Sequence, residues 1–387
     1  MVWFGLISFP LYLWHWPLLS FSRIVEGDVP SRYVRIAAVA LSILLAWLTV
    51  KFFEKPFRFS DSKIRLKLSA LCGAMFILGC AGLFVSKRDF TATHGYENLL
   101  LKRKGFEHAY GNSLNWFKGK GDWLFLGNAY ENSVAKLKLA MTPSDFDLNA
   151  VKEIFSKISE VTTRHKVKTV LIIGPDKSSI YPEYLPEKLI PSATRYSSFF
   201  IERLKEIPGL TVYDPTSDLI AAKKSEGLLY WMTDTHWNNK GAFIAYTGFS
   251  NLLNTPIPNV DFGRSAPHSG DLISISKLKD FPLHSIDNWN VVWGDKPAWS
   301  EKEISGEQKT AFGSAMIVTN EKPLSNQYVW VVGDSFTGAL KQYFNATFKE
   351  VRYVGHWRDK LNTLAESIDK AERKPDLIVI VRVERSF

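Results

Sequence analysis

The hydrophobic pattern divides the chain into two unlike parts. Up to about residue 86 the apolar positions run together, and Trp, Phe and Leu dominate. Val2–Phe21 carries no formal charge, Ile36–Val50 is a shorter run extended by Phe52 and Phe53, and Leu68–Val85 is again uncharged. A helix that spans a bilayer needs about 20 apolar residues. The first and third runs meet that length, and the second meets it with its flanks. The pattern therefore predicts about three transmembrane helices over residues 1–87. A helical hairpin buried in a soluble protein is the competing reading, but three such runs in succession are hard to bury otherwise. A signal peptide fits poorly, because no basic residues precede the first run and further apolar segments follow it.

From residue 88 to residue 387 the pattern alternates. Val167–Ile173, Leu210–Tyr213, Tyr328–Val332 and Asp376–Val383 read as short, β-branched, buried-type strands, while Val151–Arg164 and Ser197–Glu206 carry apolar residues at helical spacing. Alternation of strand and helix predicts an α/β domain with a mostly parallel sheet covered on both faces. Residues Pro256–Pro323 have little period and more Gly, Pro and Ser, and read as a long irregular insertion.

Charge orients the first part and narrows the second. Between the second and third apolar runs lie Lys51, Lys55, Arg58, Lys63, Arg65 and Lys67 against Glu54 and Asp61. The loop after the first run has Arg23, Arg32 and Arg35 against Glu26 and Asp28. The denser basic loop belongs on the cytoplasmic side, which places everything after Lys87 outside the cytoplasm. The net charge of +9 could suggest nucleic acid, but no dense basic stripe appears in residues 88–387, so nucleic acid is not an expected partner. The two cysteines, Cys72 and Cys80, lie in the third apolar run. The α/β part thus has no disulfide and no thiolate metal site, which is compatible with an oxidising compartment.

The sharpest chemical signal is Tyr-Val-Trp-Val-Val-Gly-Asp-Ser-Phe-Thr-Gly over residues 328–338. A hydrophobic strand ends at Val332, Gly333 permits a tight turn, and Ser335 sits at the turn before a helix predicted over Phe336–Phe348. That is the carboxyl end of a central strand, where open α/β sheets bind ligands. The helix amino terminus offers backbone N–H groups to an oxyanion. The alternative role for Ser335 is a helix N-cap. Asp334 is expected to buttress the turn, since adjacent turn residues usually point different ways.

Residues 229–242, Leu-Tyr-Trp-Met-Thr-Asp-Thr-His-Trp-Asn-Asn-Lys-Gly-Ala, supply a base and its partner. Asp234 and His236 are two apart, so in an extended segment both side chains lie on one side. A serine hydroxyl is a weak nucleophile until a base takes its proton. His236 can do that while Asp234 fixes its tautomer and stabilises the imidazolium. Trp237 either stacks on a sugar ring or packs in the core, and Asn238 can cap a helix that begins near Lys240. His108, His268, His284 and His356 give no recognisable metal-ligand spacing with Asp-Thr-His, so no metal is expected.

With these blocks in view, the chain resembles two families. Gly5-Leu-Ile-Ser-Phe-Pro-Leu-Tyr-Leu-Trp-His-Trp-Pro-Leu-Leu19 and Phe53-Glu-Lys-Pro-Phe-Arg58 resemble late helices of the membrane acyltransferase-three family. The chain opens at what would be that family's penultimate helix, which implies a fragment, a split gene or a misplaced start. His15 has a plainer role as an interfacial anchor. Asp-Thr-His-Trp followed by Gly-Asp-Ser-Phe resembles the SGNH-hydrolase-like domain of the alginate O-acetyltransferase type, with motif order permuted relative to ordinary SGNH hydrolases. Lys120-Gly-Asp-Trp-Leu-Phe-Leu126, Pro175-Asp-Lys-Ser-Ser-Ile-Tyr-Pro-Glu-Tyr-Leu-Pro186 and Val383-Glu-Arg-Ser386 agree with that type. The resemblance suggests Gly355 as the second-block glycine. The third-block Asn is replaced by Arg-Val-Glu-Arg-Ser, so the oxyanion hole is assigned to the Ser335 N–H, the Gly355 N–H and Arg385. Arg385 has an alternative role as an ion-pair partner. Lys177 and Tyr181 are candidate polysaccharide contacts.

Together the resemblances imply an O-acyltransferase, most simply an O-acetyltransferase, that modifies sugar hydroxyls of a surface polysaccharide or lipopolysaccharide O-antigen through a Ser335 acyl-enzyme. They place it in a bacterial inner membrane, with the catalytic domain facing the periplasm or the exterior. No cofactor is expected, and the acyl donor is delivered by a membrane partner or by helices absent from this chain. The bilayer and a carbohydrate acceptor are the other partners. A carbohydrate acetyl esterase and a non-catalytic carbohydrate-binding protein are the alternatives.

Overall fold

The computed structural model describes residues 2–26, 32–54, 114–303 and 316–387, apart from residues 188, 279 and 356. The third apolar run, with Cys72 and Cys80, lies outside them, as do His108 and His356. The chain divides into two units, Met1–Leu114 with Lys277–Asp280, and Asn115–Ser276 with Phe281–Phe387.

In the first unit, α1 (Val2–Glu26) and α2 (Arg32–Thr49) pack together. Leu11 and Ile43 lie against Ala46 and Val50, and the Trp14 indole donates to Thr49 Oγ1 at 3.0 Å. Among the described residues, α2 is the helix long and apolar enough to cross a membrane. The first run forms a helix of 25 residues with Pro10 and Pro17 inside it. The described residues thus supply one candidate span where about three are expected. His15 donates through Nδ1 to the Leu11 carbonyl at 3.0 Å, one helical turn back.

The second unit is built on a seven-stranded sheet among the described residues. Its strands are β3 (Lys168–Gly174), β4 (Leu210–Tyr213), β7 (Trp299–Glu303), β8 (Met316–Asn320), β9 (Ser325–Gly333), β10 (Phe348–Val354) and β11 (Leu377–Val383). In space the order is β4-β3-β11-β9-β10-β8-β7. Pairings from β4 to β10 are all parallel, and β8 and β7 extend the sheet antiparallel. The sheet is therefore mixed. The antiparallel edge comes from the segment expected to be irregular: Pro256–Pro323 contributes β7 and β8, and also the hairpin of β5 (Val260–Arg264) with β6 (Trp289–Trp293). Its polar composition conceals these strands because they are poorly covered, as in β7, where the consecutive Ser-Glu-Lys-Glu residues are exposed on both faces. A third small sheet pairs β1 (Trp116–Lys118) with β2 (Leu124–Leu126).

The central strands are continuous apolar runs because both faces are covered. Every residue of β11 is buried. On one face Leu171, Ile173, Trp330, Val332, Ile378 and Ile380 pack against α3 (Asp145–Arg164), α4 (Tyr196–Lys205) and Leu364 and Ile368 near the C-terminus of the sequence. On the other, α5 (Asn239–Leu253) packs on α6 (Thr337–Thr347) through Tyr246, Phe249, Tyr343 and Phe344. Each fully buried aliphatic or Phe side chain is worth roughly 1.5–3 kcal/mol relative to exposure, so this sheet is a stiff platform for whatever projects from its carboxyl ends. The start of α3 shows why the sequence begins a helix there. Ser144 accepts from Asp147 N, and Asp147 accepts from Ser144 N, forming a capping box.

Candidate active site

Ser335 lies in the turn between β9 and α6, at the carboxyl end of a strand that pairs with β11 and β10. Gly333 matters there for space. A Cβ at this position would sit 2.0 Å from Thr337 Oγ1 and 3.1 Å from Val381 Cβ, so a side chain would force the turn off the sheet. Asp334 buttresses the turn as expected: its carboxylate accepts from Phe336 N at 2.9 Å and from Val383 N at 2.6 Å. The N-cap of α6 is Phe336, without a side-chain cap bond. Ser335 is therefore not a capping residue. It is exposed, and its hydroxyl lies 2.7 Å from His236 Nε2.

The other His236 ring nitrogen, Nδ1, lies 2.6 Å from Asp234 Oδ1. An ionised carboxylate only accepts, so Nδ1 carries the proton and Nε2 is left to accept from Ser335 Oγ. Burial alone would raise the Asp234 carboxyl, but hydrogen bonds from His236 and His268, the His236 charge and the Asp271 amide hold it well below the usual carboxylate range. It stays ionised, as a group that must stabilise an imidazolium should.

The segment that carries Asp234 and His236 has little regular structure, so its shape comes from side chains around it. Lys177 is buried and gives its three hydrogens to the carbonyls of Trp231, Met232 and Asp234, at 3.1, 2.9 and 2.5 Å. Burial pushes the Lys177 ammonium down to about 7, against the pull of Asp234, Asp271 and Asp287. Asp287 accepts from Met232 N at 2.6 Å, and Asp271 accepts from Thr235 N at 2.8 Å and from Thr235 Oγ1 at 2.5 Å. His268, stacked on Trp231 with centroids 4.3 Å apart, reaches Asp234 Oδ2 at 3.2 Å. Asn238 caps α5 by accepting from Gly241 N at 3.0 Å.

Several expected substrate contacts are placed elsewhere. Trp237 is fully buried, and its indole donates to the Phe336 carbonyl, so it has no face for a sugar. Lys177 is the buried clamp just described. Tyr181 is buried, and its hydroxyl accepts from Leu229 N at 2.8 Å. Lys177 and Tyr181 face inward because backbone groups of residues 229–234 need partners, whereas Trp237 reaches across to the Phe336 carbonyl. Residues that line a cleft of about 350 Å³ with Ser335 and His236 include Glu131, Asp271, Arg358, Arg385 and Ser386. Of the oxyanion candidates, Ser335 and Arg385 are in this cleft. The Arg385 guanidinium pairs with Asp176 and Glu131. Gly355 is exposed, follows the Val354–Val332 pairing, and is not among the lining residues.

His268, Asp271 and Asp287 escape the sequence reading because they lie in the segment that looks irregular. Nothing in their spacing points to Asp234. Asp234, His236 and Asp271 offer ligand atoms within 4.8 Å of one another. Each of these carboxylate and imidazole atoms already has a hydrogen-bond partner, so a cation would have to displace the relay.

Residues 117–285 match the model of the family described as "SGNH hydrolase-like domain, acetyltransferase AlgX". Those residues resemble an SGNH-hydrolase-like domain. A relative named probable alginate O-acetylase AlgJ, from Pseudomonas aeruginosa, is 25% identical over 278 residues, which cover 67% of this chain and 67% of that protein. A Staphylococcus aureus protein named "Putative O-acetyltransferase" is 42% identical over 60 residues, 15% of this chain and 10% of its own length. The chain thus spans two thirds of the first relative and a small part of the second. Bacillus cereus PatB1, solved with a sulfonyl adduct, has a TM-score of 0.50 at 14% identity, covering 70% of this chain and 96% of that one. That likeness is one of fold. Asp234 and His236 precede Ser335 along the chain, and the structure brings them together in that order.

Proposed function

We propose that this protein is an O-acyltransferase, most simply an O-acetyltransferase, that esterifies sugar hydroxyls of a bacterial surface glycan. The observation that carries the reading is the hydrogen-bonded line Ser335 Oγ–His236 Nε2–His236 Nδ1–Asp234 Oδ1, at 2.7 and 2.6 Å, opening on a solvent-accessible cleft. Relatives named as O-acetylase and O-acetyltransferase support the choice of transfer over hydrolysis.

In this reading Ser335 Oγ attacks the carbonyl carbon of the donor's acyl group while His236 Nε2 takes the hydroxyl proton. The tetrahedral oxyanion is held by the Ser335 N–H, for which no described residue is an acceptor, and by the charge of Arg385. Collapse breaks the bond to the donor's leaving group, which receives the proton from His236, and leaves Ser335 as an ester. A sugar hydroxyl then gives its proton to His236 and attacks that ester, which releases Ser335 with its proton restored. Asp234 remains ionised throughout.

The N-terminal helices support a membrane setting. Phe9, Tyr12, Trp16, Ile36 and Leu44 are exposed on them, which suits lipid better than water. On this reading they belong to an acyltransferase-three membrane domain. The SGNH-like domain lies outside the cytoplasm, and a membrane partner supplies the acyl group. The test is intact-mass analysis after an activated acyl ester or a sulfonyl fluoride is added to the full chain in detergent. One adduct on Ser335 that Ser335→Ala abolishes is expected. Labelling that survives Ser335→Ala would overturn the nucleophile, and acyl loss to water that no glycan diverts would favour the esterase.

A further inference from the structure

The lining of the cleft that holds Ser335 and His236 contains an unusual backbone at Glu131. Glu131 and Asn132 stand side by side in the left-handed region, each with φ of 55°. For residues with a Cβ this costs about 1–2 kcal/mol each. Helix capping does not explain it, because Asn132 precedes the short helix Ser133–Leu137 without a side-chain cap bond. The conformation does deliver the Glu131 carboxylate into the cleft. There it accepts from Ser386 Oγ at 2.9 Å, lies 3.7 Å from Arg385 Nε, and pairs with Arg358. Strained residues of this kind cluster at ligand clamps, where surrounding contacts hold them.

We propose that Glu131, Arg358 and Ser386 form the acceptor subsite, and that this subsite selects a neutral sugar over a uronate. The inference rests on the reading of Ser335 as the acyl-carrying nucleophile. A carboxylate beside a guanidinium and a hydroxyl offers acceptors and donors together, which suits vicinal sugar hydroxyls, each of them both donor and acceptor. The charges decide the class. The described lining residues include the carboxylates of Glu131, Asp271 and Asp334 against the guanidiniums of Arg358 and Arg385. Both guanidiniums pair with Glu131, and Arg385 pairs with Asp176 as well. A uronate carboxylate entering this wall would meet the Glu131 carboxylate and compete with it for both arginines. A neutral hexose would meet no like charge. Glu131 is thus an internal anion standing where an acidic sugar would otherwise bind.

The test uses the full chain in detergent with an activated acyl ester as donor. Acceptors are two oligosaccharides of equal length, a neutral glucan and a polyuronate, and mass spectrometry reads the acylated products. The wild type is expected to favour the neutral acceptor. Glu131→Gln releases the arginine pair from its internal anion, so the neutral-to-uronate ratio of kcat/KM should fall by about tenfold or more, the size expected for one charged hydrogen-bonding partner. General damage to the fold would lower both transfers together and leave the ratio in place. Arg358→Gln removes the cation instead and should keep the neutral preference. Wild-type transfer that favours the uronate, or a ratio unmoved by Glu131→Gln, overturns the inference. Sulfonyl labelling of Ser335 in the same samples separates the causes: if Ser335 does not label, the nucleophile reading fails and the subsite falls with it.

Discussion

The Trp237 indole donates to the Phe336 carbonyl at 3.0 Å, and the two rings meet edge-on with centroids 5.0 Å apart. The residue after the base thereby holds the residue after the nucleophile. Two segments almost a hundred residues apart in sequence are registered by this buried contact, and the 2.7 Å separation of His236 Nε2 and Ser335 Oγ depends on it. Trp237→Phe keeps most of the volume but leaves the Phe336 carbonyl without its donor. A buried unsatisfied group costs about 1–3 kcal/mol, so the melting temperature should fall by several degrees. Acyl-ester turnover should fall further than stability alone requires. Turnover equal to wild type at a temperature where both proteins are folded would show that the tether is not needed.

Ser335→Ala and His236→Ala should each reduce hydrolysis of a small acyl ester by about 10⁴-fold or more, while the fold persists. Residues that act as a unit are not additive. The double variant should therefore be little worse than either single one, as measured by initial rates with thermal unfolding as a control. Multiplicative losses would mean that the two side chains act separately, despite their hydrogen bond.

Lys177 is predicted to be a stability residue. Lys177→Met removes the donor shared by the carbonyls of Trp231, Met232 and Asp234. Leu124 N still donates to Met232 O and Asp234 N to Trp231 O, so the Asp234 carbonyl is the one left unpaired, and the loss should be about 1–3 kcal/mol in denaturant unfolding. Ser335→Ala, which removes only an exposed hydroxyl, should be close to neutral in the same assay. A Lys177→Met protein as stable as wild type but defective in glycan binding would instead restore the polysaccharide contact expected from sequence.

These contrasts show what the sequence exposes and what it conceals. The strands around Ile173, Val332 and Val381 are legible because burial on both faces leaves only β-branched and aliphatic residues there. Ser335, His236 and Asp234 are legible because the chemistry restricts which residues can stand at a strand end and two positions apart in an extended segment. Trp237 takes the second of its two expected roles, packing in the core, while Lys177 and Tyr181 are buried where substrate contacts are expected. An aromatic or cationic side chain beside a motif looks the same in sequence whether it faces a ligand or closes the backbone from behind. Here Lys177 and Tyr181 serve carbonyls and an amide of the segment 228–238, and Trp237 packs in the core against Phe336. Asp271, Asp287 and His268 are invisible for the opposite reason. They lie in a polar stretch where period carries no information, and only the folded chain brings His268 and Asp271 to Asp234 and Asp287 to Met232. The antiparallel strands β7 and β8 are hidden likewise, since a polar strand at the wet edge of a sheet reads like a loop.

The last prediction concerns acid. Asp234 has its carboxyl held below the ordinary range by His236, His268 and the Asp271 amide, in spite of burial. Its folded-state pKa is thus lower than its unfolded value of about 3.9. A depressed carboxylate contributes stability that is fully present above the unfolded pKa and is lost as pH falls below it toward the folded value. Asp234→Asn removes that contribution at every pH. The wild type should therefore unfold at a higher temperature than Asp234→Asn at pH 6 to 7, and the gap should narrow steadily between about pH 4 and pH 2. Turnover should show a different pattern. Asparagine can present its carbonyl oxygen to His236 Nδ1, but it carries no charge to stabilise the imidazolium, so kcat should fall by about 10⁴-fold, the loss seen when a buried triad acid becomes an amide. Thermal unfolding followed across pH 2 to 7, with ester hydrolysis at neutral pH, checks both parts. A gap that widens as the pH falls would mean that Asp234 gains protons more readily in the folded protein, and that its hydrogen bonds do not outweigh its burial.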